Sequence, residues 1–384
     1  MRESLRKKAF RRRFKPTGIA MSIVNFKFFR HLLSVFLLST LVACGGGTEP
    51  VAGTTPPVNP PSPPPPVALE DAATDHGFTS DHFSGSQVCS ACHDGLRDAN
   101  GDDVSIVADW QPTMMAASSR DPVWRAKVAS EIKRNPGLRE EIESTCGRCH
   151  APMAHVEAGF ATVDATLMED GFLHPDNPLF DAAADGVSCT LCHQIADTAD
   201  LGTDTGFSGN FEIPYSFGTD RLALGQYDKP LTGPMVNQVA FTPRTSPHIS
   251  DSEVCATCHN LATLVVDAQG LPTDQTFPEQ MVYTEWENSG FALIQSCQDC
   301  HMRRAAGDVR ISTRPTGGGL SSRTDFARLT IVGGNTYMLD ILGRNAVDLN
   351  ISATGFNELV DETRVLLGGA VILDLEDVAR TGDD

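Results

Sequence analysis

Ten cysteines of this chain fall into five pairs of one spacing, each closed by a histidine. They are Cys89-Ser-Ala-Cys92-His93, Cys146-Gly-Arg-Cys149-His150, Cys189-Thr-Leu-Cys192-His193, Cys255-Ala-Thr-Cys258-His259 and Cys297-Gln-Asp-Cys300-His301. Cysteines at i and i+3 lie on one side of a helical turn. There both thiols can add to the two vinyl groups of one porphyrin, and the histidine at i+4 sits beneath the iron to supply its proximal nitrogen. The spacing is that of c-type haem attachment, and the expected cofactors are five covalently bound c-type haems. The composition would produce the pattern about 0.01 times by chance, so five copies exclude coincidence. Zinc knuckles use cysteine pairs but do not require a histidine after every second cysteine. Disulfides suit an exported chain but also leave the five histidines unexplained.

Each iron has a second face. Outside the motifs and the leader remain His76, His82, His155, His174 and His248, five imidazoles for five irons. His82 stands just before the first motif and His248 just before the fourth, as distal ligands would. His155 follows His150 by five residues on what reads as one helical stretch, so it would serve a different haem and lock two together. His174 lies in Gly171-Phe-Leu-His174-Pro175, and His76 borders a flexible tether, where a solvated histidine is an equal reading. Methionine is the alternative ligand and raises the reduction potential; Met114 and Met115 are the candidates, with core packing as their plainer role. An iron without a sixth ligand could bind substrate, which is the fork between carrier and enzyme.

The elements that must deliver these residues begin with an export signal. Lys27 and Arg30 precede an apolar run, Leu32 to Val42, too short to span a bilayer. Leu41-Val42-Ala43-Cys44-Gly45 looks like the lipobox of bacterial lipoproteins, in which Cys44 would be acylated and become the first mature residue. Met21 as the start would give a signal of ordinary length. Arg11-Arg12-Arg13 lies too far from the apolar run for a twin-arginine signal. Residues 45–69 are rich in Gly and Pro, cannot bury a core, and read as an extended tether. The expected organisation is therefore signal peptide with lipobox (1–44), tether (45–69), pentahaem domain (70–305) and haem-free C-terminal region (306–384).

The 384 residues are 41 % hydrophobic but only 7 % aromatic, thin for a conventional core and compatible with haem filling the interior. The net charge of −19 hides an asymmetry, since residues 1–43 hold ten Lys/Arg and one acidic residue. The mature body is thus strongly acidic, which repels nucleic acid and suits docking against basic partners. The first cysteines are 57, 43, 66 and 42 residues apart, so the motifs are no simple tandem repeat. The expected fold class is mainly α with little regular secondary structure: short helices and long loops around stacked haems, plus a small α+β C-terminal region. Asp121-Pro122 marks a helix start, with Trp124, Val128 and Ile132 on one face, ended by Asn135-Pro136-Gly137. A second helix, Leu138 to Thr145, delivers Cys146. Residues 200–250 read as loop. After Gly317-Gly318-Gly319, helices are expected over Asn335–Leu342 and Phe356–Leu367, with a stripe of Phe356, Leu359, Val360, Thr363 and Leu367. A strand follows over Ala370–Leu375, left to pair with another subunit or a continuation of the chain.

Residues 83–302 resemble bacterial multihaem cytochromes of the c-552/c-554 class, relatives of hydroxylamine oxidoreductase and the multihaem nitrite and tetrathionate reductases. The resemblance rests on Phe83-Ser-Gly-Ser-Gln-Val-Cys89-Ser-Ala-Cys-His93, the Trp110 to Met115 segment, Asp185-Gly-Val-Ser-Cys-Thr-Leu-Cys-His193 and Ser296-Cys-Gln-Asp-Cys-His-Met302. It implies haems stacked in parallel and perpendicular pairs, mainly bis-His ligation, and electron transfer. The chain lacks the CxxCK site of one nitrite reductase group, and no cross-linking tyrosine of the hydroxylamine enzymes can be identified among Tyr215, Tyr227, Tyr283 and Tyr337. The expected function is electron transfer between redox partner proteins by an exported cytochrome, lipid-anchored in the cell envelope at the outer membrane. The alternatives are a reductase of a small nitrogen or sulfur oxyanion at one five-coordinate haem, with Arg148 as a charge-stabilising candidate, and a subunit of a cytochrome filament or conduit, a homo-oligomer.

Overall fold

The computed structural model describes residues 77–316 and 319–371. All belong to one compact unit, Val67–Asp384. Cys44, the tether, His76 and residues 372–375 of the expected strand lie outside the described residues. The described residues are mixed, 42 % helix against 11 % strand, which is consistent with the mainly α class expected but holds more regular structure.

Short helices carry each motif: α1 (Ser86–His93), α4 (Arg139–His150), α7 (Cys189–Cys192), α9 (Ser252–His259) and α11 (Cys297–His301). Between the first two lie α2 (Ile106–Trp110) and α3 (Pro122–Arg134). The α3 start is as the sequence implies, with Asp121 accepting from the Val123 and Trp124 amides. Val128 is buried on its inner face, and Trp124 and Ile132 pack beside it. Helix α4 continues past Thr145 through the whole second motif. It stops at Ala151, because Pro152 lacks an N–H and disfavours helical geometry in the residue before it. His155 therefore sits on a separate helix, α5 (Pro152–Ala161), not on the stretch that carries His150. Next comes α6 (Phe180–Ala184), which closes on Asp185.

Residues 200–250 are not all loop. They hold β1 (Leu222–Gly225), α8 (Thr232–Val239) and β2 (Thr242–Thr245), with β1 and β2 paired in parallel from Leu222↔Thr242 to Gly225↔Thr245. A parallel pair needs a crossover, and α8 with its flanking turns supplies it. A second sheet, unforeseen in the sequence, is the antiparallel hairpin of β3 (Asn260–Val266) and β4 (Pro272–Met281). Asp267 closes its turn, accepting from the Gln269 and Leu271 amides. Then follow α10 (Val282–Glu287) and a 3-10 turn, Gly290–Leu293, before α11.

Residues 304–316 and 319–332 hold two isolated bridges, Arg304↔Ala327 and Val309↔Arg323, and no longer element. Val309 and Phe326 pack there on Leu96 and Val104, beside the first motif. Helices α12 (Thr336–Arg344) and α13 (Phe356–Ala370) then close a small core of Leu339, Leu342, Phe356, Leu359 and Val360 against Ala117. Leu367 is 44 % exposed, so the expected stripe ends one turn early. Ala370 is the last helical residue rather than the first of a strand, and among the described residues after 305 the β structure is limited to the two bridges.

Leu342 is fully buried between α12 and α13. Leu342→Ala should cost about 2–5 kcal/mol, against less than about 1 kcal/mol for Leu367→Ala. Urea unfolding of the two variants measures the difference.

Candidate cofactor site: five histidines on one cavity

All five motif histidines and nine of the ten motif cysteines line one cavity of about 1960 Å³. Cys300 is the exception and is exposed. Ordinary small-molecule pockets hold about 300–1,000 Å³, so this space suits several large groups. The ten cysteines are free thiols with no disulfide among them. Among the described residues no three His, Cys, Asp or Glu converge as a metal shell. A haem iron asks less of the protein, because the porphyrin brings four of its six ligands.

The histidines are held in one manner. His93 donates Nδ1–H to the Ile311 carbonyl at 2.7 Å, His150 to Ser118 at 3.1 Å, His193 to Leu224 at 2.5 Å and His301 to Val332 at 2.5 Å. A carbonyl oxygen only accepts, so in these four the proton sits on Nδ1 and the lone pair on Nε2. His259 has the Gln280 side-chain amide 3.3 Å from Nδ1, and an amide can serve that nitrogen in either orientation. Three clamps are reciprocal. The Leu224 amide donates to the His193 carbonyl at 2.7 Å, the Val332 amide to that of His301 at 3.0 Å, and Ser118 Oγ to that of His150 at 2.9 Å. Each fixes the ring and the end of its motif helix together. Trp124 stacks on His150 with centroids 4.5 Å apart and planes at 10°. Burial holds the imidazoles of His93, His150, His193 and His259 below their ordinary pKa, in the neutral form that can ligate iron.

The motifs interlock. Thiols hydrogen-bond between Cys89 and Cys189, between Cys149 and Cys258, and between Cys255 and Cys297. Cys192 lies within electrostatic reach of Cys258. The first motif thus adjoins the third, the third the fourth, and the fourth both the second and the fifth. Asp185 joins the first pair: its carboxylate accepts from the Ser86 amide at 2.9 Å and the Ser86 hydroxyl at 2.6 Å, capping α1 from the segment that leads into Cys189. Gly186 makes the approach feasible. It has φ +63°, and a Cβ there would stand 2.5 Å from the Ala116 carbonyl oxygen.

The residues expected on the second iron face divide in two. Met114 and Met115 line the cavity, as do Met235 and Met302, which the sequence reading did not single out. None of the four described spare histidines is on that lining. His82 is buried, with Nδ1 2.8 Å from Glu157 Oε2, its ring 4.1 Å from that of Phe160 and its Nε2 without a hydrogen-bond partner. His248 is buried with both nitrogens engaged, Nε2 at 2.9 Å from the Ile195 carbonyl and Nδ1 at 2.8 Å from Ser246 Oγ. His155 places Nε2 3.2 Å from Ser144 Oγ and packs on Gly147; burial, then the charge of Arg148, lowers it to about 4. His174 is exposed and accepts from the Asp176 amide. Arg148 reaches the cavity wall, with Nη1 3.4 Å from Asn210 Oδ1.

The orienting partners were invisible in the sequence, since four are backbone carbonyls and carry no residue signature. Asp185 did leave a signal, as part of the Asp185-Gly-Val-Ser segment before the third motif. No protein-family model, curated protein or solved structure matches this chain. The donor set fits covalently attached haem on its own terms: paired free thiols, five imidazoles of which four have Nδ1 held by a carbonyl, and a common space.

Burial raises Asp185 to about 6. A carboxyl with a raised folded-state pKa binds more protons folded than unfolded between about 4 and 6, so its contribution to stability is full below that window and is lost as pH rises through 6. Asp185→Asn keeps one acceptor oxygen for the Ser86 amide, replaces the other by an NH2 that can donate to the Ser86 hydroxyl, and should flatten the fall in stability between pH 4 and 6, as read by urea midpoints across that range.

Proposed function

We propose that the chain is an exported, lipid-anchored pentahaem c-type cytochrome that passes electrons between redox proteins in the cell envelope. One observation carries this reading. Five Cys-x-x-Cys-His histidines turn toward one cavity, and in four of them Nδ1 is committed to a carbonyl and Nε2 is left to ligate. The cysteine pairs would hold each haem by two thioethers, and His93, His150, His193, His259 and His301 would be the proximal ligands. When bound, haem supplies one-electron redox chemistry. The residues of the chain orient the imidazoles, raise their basicity through the Nδ1–H bonds, and keep water from the buried side of the cavity. The resemblance to the c-552/c-554 class supports the same function, and the lipobox at Cys44 and the tether support a place on the outer membrane.

A specific observation keeps the reductase reading as the second. Among the described residues the cavity lining carries four methionines and no spare histidine, which leaves room for an iron with no protein ligand on its far face. A face with nothing is where a nitrogen or sulfur oxyanion would bind, near Arg148. The filament or conduit reading would show itself as concentration-dependent assembly.

The mature protein, made in a host competent in cytochrome maturation, should weigh more than lipidated polypeptide by five haems and show a Soret band. Cys189→Ala with Cys192→Ala should leave four. A mass equal to bare lipoprotein with no Soret band would end the proposal. Electron paramagnetic resonance of the oxidised protein then separates the two readings: five low-spin ferric irons mark the carrier, and a high-spin iron with turnover of nitrite or hydroxylamine marks the reductase. Replacing whichever of Met114 and Met115 ligates iron by Ala should convert one low-spin signal to high-spin.

A further inference from the structure

The side of the molecule that carries the fourth and fifth motifs differs from the rest in exposure, apolar content and charge. Cys300, alone among the ten motif cysteines, is exposed and stands off the cavity lining. Immediately before the fifth motif the 3-10 turn Gly290–Leu293 and the next residue project apolar side chains: Leu293 is 90 % exposed, Ile294 74 % and Phe291 58 %. Folding does not leave such a cluster in water without a use more often than chance allows. The segment is fastened to α10, since Trp286 donates its indole N–H to the Gln295 carbonyl at 3.0 Å. That bond joins the apolar turn and the exposed Glu285 and Glu287 into one surface. Glu253, Glu287 and Cys297 all lie within electrostatic reach of the Tyr283 hydroxyl, so the carboxylates stand beside the fifth attachment site.

The charge here is of one sign. Residues 245–302 contain eight Asp and Glu and no Lys or Arg. The cations that follow it are engaged: Arg304 pairs with Asp299 at 2.8 Å and Asp325 at 3.2 Å, and Arg303 with Glu362 at 3.8 Å. An apolar centre with a carboxylate rim beside an exposed redox site is complementary to a protein that presents an apolar patch ringed by lysines around its own redox centre. Such pairing speeds encounter and orients it while leaving the complex short-lived.

Resting on the cytochrome reading, we propose that Phe291, Leu293 and Ile294, rimmed by Glu285 and Glu287, form the docking face for a basic electron-transfer protein, with the fifth haem as the point of exchange. In the exchange one electron leaves a ferrous iron of this chain and reduces the ferric iron of the partner; no proton moves and no bond forms or breaks.

A strongly basic monohaem cytochrome c serves as the probe. The five-haem protein is reduced, mixed with the ferric probe in a stopped-flow instrument, and the ferrous probe is followed at several ionic strengths. The second-order rate should fall about tenfold or more between low and physiological salt. Glu285→Lys with Glu287→Lys should lower the low-salt rate about tenfold and flatten the salt dependence. Leu293→Ser with Ile294→Ser should slow transfer at every salt concentration. Glu358→Lys, an exposed carboxylate on α13, should change neither. Haem content and circular dichroism equal to the parent establish that each variant is folded. Parent-like rates in both patch variants overturn the proposal. So do dimers, seen by sedimentation velocity, that dissociate when Leu293 and Ile294 become Ser, because a second copy would then be the occupant. A parent protein without a Soret band removes the cytochrome reading itself, a result distinct from either.

Discussion

The bond from a motif histidine to a main-chain carbonyl is the constraint around which the fold is arranged. An imidazole on a five-residue helix has two free torsions and two nitrogens, and nothing within Cys-x-x-Cys-His fixes either. The acceptors come from far along the chain: Ser118 serves His150, Leu224 serves His193, Ile311 serves His93 and Val332 serves His301. Much of the architecture can be traced to delivering them. Strand β1 exists as four residues, and Leu224, its third, exchanges both backbone groups with His193. Hairpin β3–β4 brings Gln280 to His259. Residues 304–316 and 319–332 serve the first motif and then the fifth, presenting Ile311 to one and Val332 to the other.

Packing leads to the same place. The buried apolar residues form four separate clusters rather than one core, and the space between them is the cavity. Side chains alone therefore do not join the four clusters across this space. Under the proposed function the haems are the core, and the low aromatic content follows, because porphyrin supplies the large flat surfaces that Phe, Trp and Tyr supply elsewhere.

Local signals in the sequence were legible where one short segment decides the structure. Asp121-Pro122 starts α3, Asn335 caps α12 through its bond to the Met338 amide, and Phe356, Leu359, Val360 and Thr363 point inward as their spacing implies. Legibility failed where the partner is remote. Leu222–Gly225 and Thr242–Thr245 are four residues each and become strands only because each finds the other across α8. The break at Ala151 is written in Pro152, which ends the stretch that carries His150 before His155. At the site, the motif spacing picked out the thiols and histidines that share the cavity, whereas the carbonyl acceptors left no trace, since any residue can offer one.

Five spare histidines match five motifs in number, and the four that are described stand in different surroundings. His82 keeps a buried Nε2 with no hydrogen-bond partner. Glu157 holds His82, the Ile195 carbonyl and Ser246 hold His248, Ser144 holds His155, and His174 stands in solvent. An imidazole whose nitrogens are both engaged, as in His248, must break a buried hydrogen bond before it can ligate, at a cost of about 1–3 kcal/mol. A thioether pays no such cost, because sulfur is a weak acceptor with little to give up. Met114 and Met115 already stand in the cavity wall beside the third motif, where the Val187 amide bonds the Met115 carbonyl at 3.0 Å. Thioether ligation favours ferrous iron and raises the potential. Under the proposed function, a haem ligated there would hold its electron more tightly than histidine-ligated neighbours.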